Sequence, residues 1–242
     1  MLRSIGSLND FQINATDGNM GSVEDFFFDD HTWAIKYLVL KTGNWLTGRK
    51  ILLAPAAFGS PNWENQSFPI LLSKQEIENS PLISDDRPVS KQAQADLHQF
   101  YGWPGYIYDP FPAPSEQYPL PKQELDETGE DDPHLRSTNE VEGYKISAED
   151  GSVGKVADFI VDDEQWIIRY VIIDTGSWLT GRKVMIAPDW IESIDWFAGK
   201  ASVSMNRKAI EESPEFDPSR MVNREYETRL YDYYGRPKYW DR

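Results

Sequence analysis

"TGNWLTGRK" occupies residues 42–50, and "TGSWLTGRK" occupies residues 175–183, 133 positions later and with one Asn-to-Ser change. Sliding the chain by that offset extends the match in both directions. "DGNMGSVEDFFFDD" (17–30) falls on "DGSVGKVADFIVDD" (150–163), and "WAIKYLVLKTG" (33–43) falls on "WIIRYVIIDTG" (166–176). From Phe11 to Pro55, 23 of 45 positions are identical without a gap. The register persists at "IENSP" (77–81) over "IEESP" (210–214), and at "YGWPGY" (101–106) over "YGRPKY" (234–239). A unit of about 100 residues stands twice in tandem. A period that long is a domain duplication rather than a solenoid, whose repeats run roughly 20–50 residues.

The duplication divides the chain into a first domain over 1–109, a connecting segment over 110–137 and a second domain over 138–242. Between Pro110 and Arg136 lie six prolines and seven acids, with Lys122 and Arg136 the only Lys or Arg. Such a composition buries too little apolar area to offset its ordering entropy, and proline stiffens it toward an extended spacer.

With 242 residues, 40% hydrophobic and 13% aromatic, the chain has material for two packed cores. It has no cysteine, which excludes disulfides and thiolate metal sites. The start, "MLRSIGSLND", lacks the apolar stretch of a secretory signal, and no run approaches 18 apolar residues. The net charge is −16, a field that repels nucleic acid and anionic lipid. An acidic cytoplasmic protein without a transmembrane segment is expected.

Around the repeated phrase the local signals are those of strands. Asp17-Gly18 and Asp150-Gly151 are turn dipeptides that open Met20–Phe28 and Val153–Val161. After Asp29-Asp30 and Asp162-Asp163 comes an almost wholly apolar strand from Trp33 or Trp166, buried on both faces except near its cation. A third strand, Lys50–Ala54 or Lys183–Ala187, ends at proline; "FPILLS" and "ASVSM" supply another. The repeated phrase is thus a strand-to-strand loop in which Gly43, Gly48, Gly176 and Gly181 permit unusual backbone angles. Two helices follow in each copy. Ser73 or Asn206 caps the short one, and Ser90 or Asn223 caps the longer one. The longer helix carries an apolar stripe, Ala93, Leu97, Phe100 and Tyr101 in copy one and Tyr226, Leu230, Tyr233 and Tyr234 in copy two. Gly102 or Gly235 stops it, and the aromatic tail behind folds back on the domain.

The step Gly-Xaa-Val-Xaa-Asp (Gly21, Val23, Asp25; Gly154, Val156, Asp158), the apolar strand, the Gly-rich loop and the closing Ala-Pro together resemble the PRC-barrel family. The likeness covers roughly 5–78 and 138–211, and the capped helix with Tyr-Gly-Xaa-Pro-Xaa-Tyr is similar to the extension of stand-alone bacterial members. The resemblance implies a mainly β fold with minor α. It implies two tandem small antiparallel β-barrels, each followed by a short and a longer helix. It also implies a non-catalytic adaptor or assembly module with a protein partner, linked to photosynthesis or stress in some members. The family's ribosome-maturation branch supplies an alternative, an RNA-associated factor; an enzyme with a site between the barrels is a remoter one.

Residue chemistry points the same way. The histidines, His31, His98 and His134, show no zinc-ligand spacing, so neither metal nor cofactor is expected. No Gly-Xaa-Ser-Xaa-Gly elbow, phosphate loop or dinucleotide fingerprint occurs. Asp29-Asp30 and Asp162-Asp163 read as polar turns, because neighbours on an extended chain point apart. The strongest binding candidates are Trp45, Leu46, Arg49, Trp178, Leu179 and Arg182 in the repeated loop, since Trp and Arg are enriched at interface hot spots. Three roles stand open for them: docking a partner, packing one copy on the other as an intramolecular pseudo-dimer or a homo-oligomer, or closing the barrel end with each Arg on a nearby acid.

Overall fold

The computed structural model describes residues 1–42, 49–84, 89–103, 131–176 and 181–241, the side chains of Arg49 and Ser84 excepted. In chain order the elements of the first half are β1 (Leu2–Ser4), β2 (Gln12–Ala15), β3 (Gly18–Asp29), β4 (Ile35–Lys41), β5 (Arg49–Leu53), β6 (Ser67–Pro69), α1 (Lys74–Glu78), β7 (Ile83–Ser84) and α2 (Lys91–Tyr101). The second half runs β8 (Leu135–Ser137), α3 (Thr138–Val141), β9 (Lys145–Ala148), β10 (Gly151–Asp162), β11 (Ile167–Asp174), β12 (Lys183–Ile186), β13 (Ile191–Asp195), β14 (Lys200–Val203), α4 (Arg207–Glu211) and α5 (Arg224–Tyr234). The offset of 133 carries β1 onto β8, β3 onto β10, α1 onto α4 and α2 onto α5, residue for residue.

Two sheets result, with strand orders β6-β2-β3-β4-β5-β7 and β12-β11-β10-β9-β14-β13. The mainly β class, with helices after each sheet, is as expected from the sequence. Closure into barrels is not: among the described residues each hydrogen-bonded path is open, ending at β6 and β7 in one sheet and at β12 and β13 in the other. Nor is the pairing purely antiparallel. β6 joins β2 in parallel, and β14 joins β9 in parallel. In each sheet the returning strand lies along the far side of the first hairpin instead of meeting the last strand.

The glycine of the Gly-Xaa-Val-Xaa-Asp step has a steric cause. A Cβ on Gly21 would stand 2.0 Å from the Lys41 carbonyl oxygen, and one on Gly154 would stand 2.1 Å from that of Asp174. The long strands β3 and β10 therefore pass directly against the ends of β4 and β11. Next to each glycine Val23, Val153 and Val156 go into the core. Strands β4 and β11 are buried on both faces except at Lys36 and Arg169 and at their last residues, Lys41 and Asp174, as their near-continuous apolar runs foretell.

The helices start and stop where the side chains dictate. Ser73, Ser90, Asn206 and Asn223 each accept a hydrogen bond from the backbone N–H three residues on. Gly102 (φ 64°) and Gly235 (φ 61°) end α2 and α5 in the left-handed region.

The compact units of the chain are not collinear with its copies. One comprises Met1–Asn9, Phe28–Ile35 and Arg136–Arg242; the other comprises Asp10–Phe27 and Lys36–Leu135. In the first unit β1 runs antiparallel along the end of β10, with Leu2 opposite Asp162, Arg3 opposite Val161 and Ser4 opposite Ile160. The sheet of copy two is thus completed by a strand from copy one. β8 carries the same tripeptide, Leu-Arg-Ser, and pairs with β3. In the second unit Leu135 packs on the cluster of Phe27, Tyr37, Val39, Leu52 and Leu97.

Candidate functional site

Of the six residues singled out in the repeated loop, Trp45, Leu46, Trp178 and Leu179 lie outside the described residues, as does the side chain of Arg49. The flanks in copy two are described, and they are tightly held. The buried Thr175 directs both its N–H and its hydroxyl to the Arg182 carbonyl, at 3.1 and 2.8 Å. Gly181 N–H donates to Gly176 O at 2.7 Å, with φ of 63° at Gly176 and 73° at Gly181, so these glycines do adopt the left-handed angles expected of them. The Arg182 guanidinium donates to the carbonyls of Glu211 and Ser213, behind α4, and lies 3.4 Å from the Glu215 carboxylate. Glu215 is 60% exposed, so the ion pair contributes little; the two carbonyl bonds fasten the loop to the helix.

The aspartate pairs form turns, as the sequence predicts, and the first residue of each pair does the shaping. Asp29 accepts from the N–H groups of His31 and Thr32, and Asp162 accepts from those of Glu164 and Gln165. The second residue of each pair meets an arginine of the Leu-Arg-Ser tripeptide. Arg136 Nε lies 3.1 Å from Asp30, and Arg3 Nε lies 3.7 Å from Asp163. Asp158, the aspartate of the second Gly-Xaa-Val-Xaa-Asp step, is a further anchor, and its partners were not legible in the sequence. Its carboxylate accepts from the Ser4 hydroxyl, from Gly6 N–H at 2.9 Å and from Phe159 N–H at 2.7 Å. A lone aspartate on a strand gives no local signal of a partner 154 residues away.

The other polar centre lies where the long helix meets the apolar strand, and it differs between the copies. In copy two Glu227 is 2% exposed and accepts from the Tyr170 hydroxyl at 2.7 Å and the Tyr239 hydroxyl at 2.9 Å. Arg224 lies 3.1 Å from its other oxygen and 4.0 Å above the Trp240 ring. Burial, with the Tyr231 phenol and the Glu227 carboxylate beside it, pushes the Tyr170 phenol well above its usual range. Burial also lifts Tyr231, Tyr234 and Tyr239 to about 12. In copy one Gln94 takes the place of Glu227 and donates to Asp132 at 2.9 Å, while the Tyr37 hydroxyl meets His98 Nε2 at 3.0 Å. His98 meets Trp103 edge-to-face, and Trp103 stacks on Tyr101. These groups bond to one another, an arrangement that orients a helix on a strand. The aromatic tail of copy two folds back as expected, since both Tyr239 and Trp240 reach Tyr231.

Of the apolar stripe expected on the long helices, Leu97 and Leu230 are buried and Ala93 and Tyr101 pack against the core cluster. Gln94 and Leu97, like Glu227, Leu230 and Tyr231, face inward, whereas Phe100 (45% exposed) and Tyr233 (39%) face out. The inward polar residues Gln94 and Glu227 were missed because a stripe sought among apolar residues passes over them.

Comparison with known proteins agrees in part with this geometry. No curated protein matches the chain by sequence. The family model described as the PRC-barrel domain matches residues 134–198, the stretch from β8 to the turn after β13. The chain therefore carries a PRC-barrel domain at 134–198, and a second sheet built to the same plan precedes it.

Proposed function

We propose that the chain is a non-catalytic, two-domain adaptor that holds partner proteins through equivalent surfaces on its two copies. Trp45, Leu46 and Arg49 are the contact residues on one surface, and Trp178 and Leu179 on the other, with Arg182 fastening the loop that bears them. The observation that carries this reading is the constancy of the 133-residue offset. β3, β10 and both pairs of helices coincide with their counterparts, down to their caps, so each copy presents the same elements around the same loop. Two like surfaces on one chain convert a second binding event into an intramolecular one and raise avidity without new contacts. The firm hold on Thr175, Gly176, Gly181 and Arg182 supports a pre-ordered neck, which lowers the entropy cost of docking. The shifted tyrosines are shifted by burial inside structural networks, and this favours an architectural role over acid–base work.

The test compares affinity purification of the full chain with that of the Trp45→Ala/Trp178→Ala variant, with the retained proteins identified by mass spectrometry. The reading expects a reproducible partner that is lost from the variant while thermal unfolding is unchanged. Equal recovery from both forms would remove the loop from the binding surface, and no reproducible partner would remove the adaptor role.

A further inference from the structure

Two sets of contacts in the unit containing Met1–Asn9, Phe28–Ile35 and Arg136–Arg242 share an unusual property: where two residues meet, their counterparts in the repeat meet as well. Ile35 N–H donates to Trp166 O at 2.7 Å, and Ile168 N–H donates to Trp33 O at 2.8 Å. Position 33 is the counterpart of 166, and 35 is that of 168, so the offset exchanges this pair of bonds with itself; Ala34 and its counterpart Ile167 form the bridge at its centre. Trp33 and Trp166 both sit at positive φ, 59° and 54°, which aromatic residues rarely adopt, so both copies keep the turn that makes the pairing. The arginines behave alike. Arg3 meets Asp163, and Arg136 meets Asp30, again a pair of contacts that the offset interchanges. Reciprocal contacts of this kind define an isologous interface, the kind found between two copies of one chain.

We infer that the segment Leu2–Leu8, strand β1 with the 3-10 turn behind it, is a self-recognition element, and that the edge of β10 which receives it takes the same segment from a second copy of this chain. The fit is specific. Ser4 and Gly6 N–H bind the Asp158 carboxylate, Arg3 meets Asp163, and Ile5 and Leu8 are buried. A Cβ on Gly6 would stand 3.2 Å from an Asp158 oxygen, so little room for substitution remains there. The strand and its edge are joined by no short connection, since Ser4 pairs with Ile160 across more than 150 residues. The contacts themselves are indifferent to whether strand and edge belong to one molecule. Asp10, at φ 66°, marks the bend where the strand leaves for β2. Local concentration then decides: the strand of the same chain competes with that of a second one, so closed single chains prevail in dilute solution and exchanged dimers accumulate as the chain is concentrated. This inference stands apart from the adaptor reading, because it concerns the edge of β10 and not the repeated loop.

The absence of native cysteine makes a clean test possible. Leu2 lies opposite Asp162, so two full-length chains, one carrying Leu2→Cys and the other Asp162→Cys, are unfolded together in urea, refolded over a range of concentrations and oxidised. Exchange predicts a disulfide-linked heterodimer that grows with concentration and exceeds that of a control pair, Leu2→Cys with Glu192→Cys. Adding Asp158→Asn to the Asp162→Cys chain lowers its yield. The double variant Leu2→Cys/Asp162→Cys, refolded dilute, closes within one chain and verifies the register. Heterodimer at the control level at every concentration would overturn the inference, and so would failure of the double variant to close.

Discussion

At the scale of single residues, Glu227 holds the most exposed prediction. It is buried and gathers two tyrosine hydroxyls and a guanidinium. Glu227→Ala leaves the Tyr170 hydroxyl without its acceptor inside the protein, at a cost of about 1–3 kcal/mol. Glu227→Gln installs the residue type that copy one has at position 94, keeps an acceptor oxygen and costs less. Urea unfolding of the two variants measures the order, and equal midpoints for both and the parent would show the network to be idle. The tyrosines give a pH prediction. Burial raises Tyr231, Tyr234 and Tyr239 from 10.0 to about 12, so the folded state favours the neutral phenols. That stabilisation is complete below pH 10 and is lost as pH rises through about 12. Phenolate absorbance should therefore show these tyrosines ionising only above pH 10, together with unfolding. A single transition near pH 10 with the fold intact would contradict it. Legibility in the sequence was uneven at this scale. Leu97 and Leu230 read correctly as core. Phe100 and Tyr233 did not, because apolarity alone cannot tell an inward Gln94 or Glu227 satisfied by a partner from an outward one.

At the scale of elements, boundaries were legible where the cause is local. The four caps and the stops at Gly102 and Gly235 depend on residues within one turn, and all were readable. Asn223→Ala should lower stability by about 1 kcal/mol through loss of the bond to Tyr226 N–H, measured by thermal or urea unfolding; no change would mean that water replaces the cap without loss. Gly154→Ala acts through packing between strands. Its Cβ would overlap a backbone carbonyl that cannot turn aside, so the cost should reach about 3 kcal/mol, the upper part of the range for overpacking. A variant of parental stability would show that the strands are not so closely apposed. Strands β1, β8, β7 and β13 were not legible. Each is two to five residues long, and β1, β8 and β7 take their extended form from a neighbour distant in sequence. Barrel closure was misjudged for a related reason. Nothing in a strand's own sequence says whether its outer edge is met by another strand.

At the scale of the whole molecule, the duplication was legible and the exchange of segments was not. A repeat marks its units in linear order, whereas Met1–Asn9 and Phe28–Ile35 of copy one belong to the unit built on Arg136–Arg242. The tripeptide Leu-Arg-Ser occurs at 2–4 and 135–137, yet three residues say nothing of which edge each will choose. This shared unit is the central structural claim, and cutting the chain between the copies tests it most directly. A specific protease site placed after Tyr118 and cleaved to completion gives two fragments, which native mass spectrometry then weighs in neutral buffer. Because one compact unit contains segments from both fragments, the account predicts that they remain together at the mass of the intact chain and part only in denaturant. Two independent particles, each with the mass of one fragment, would contradict it.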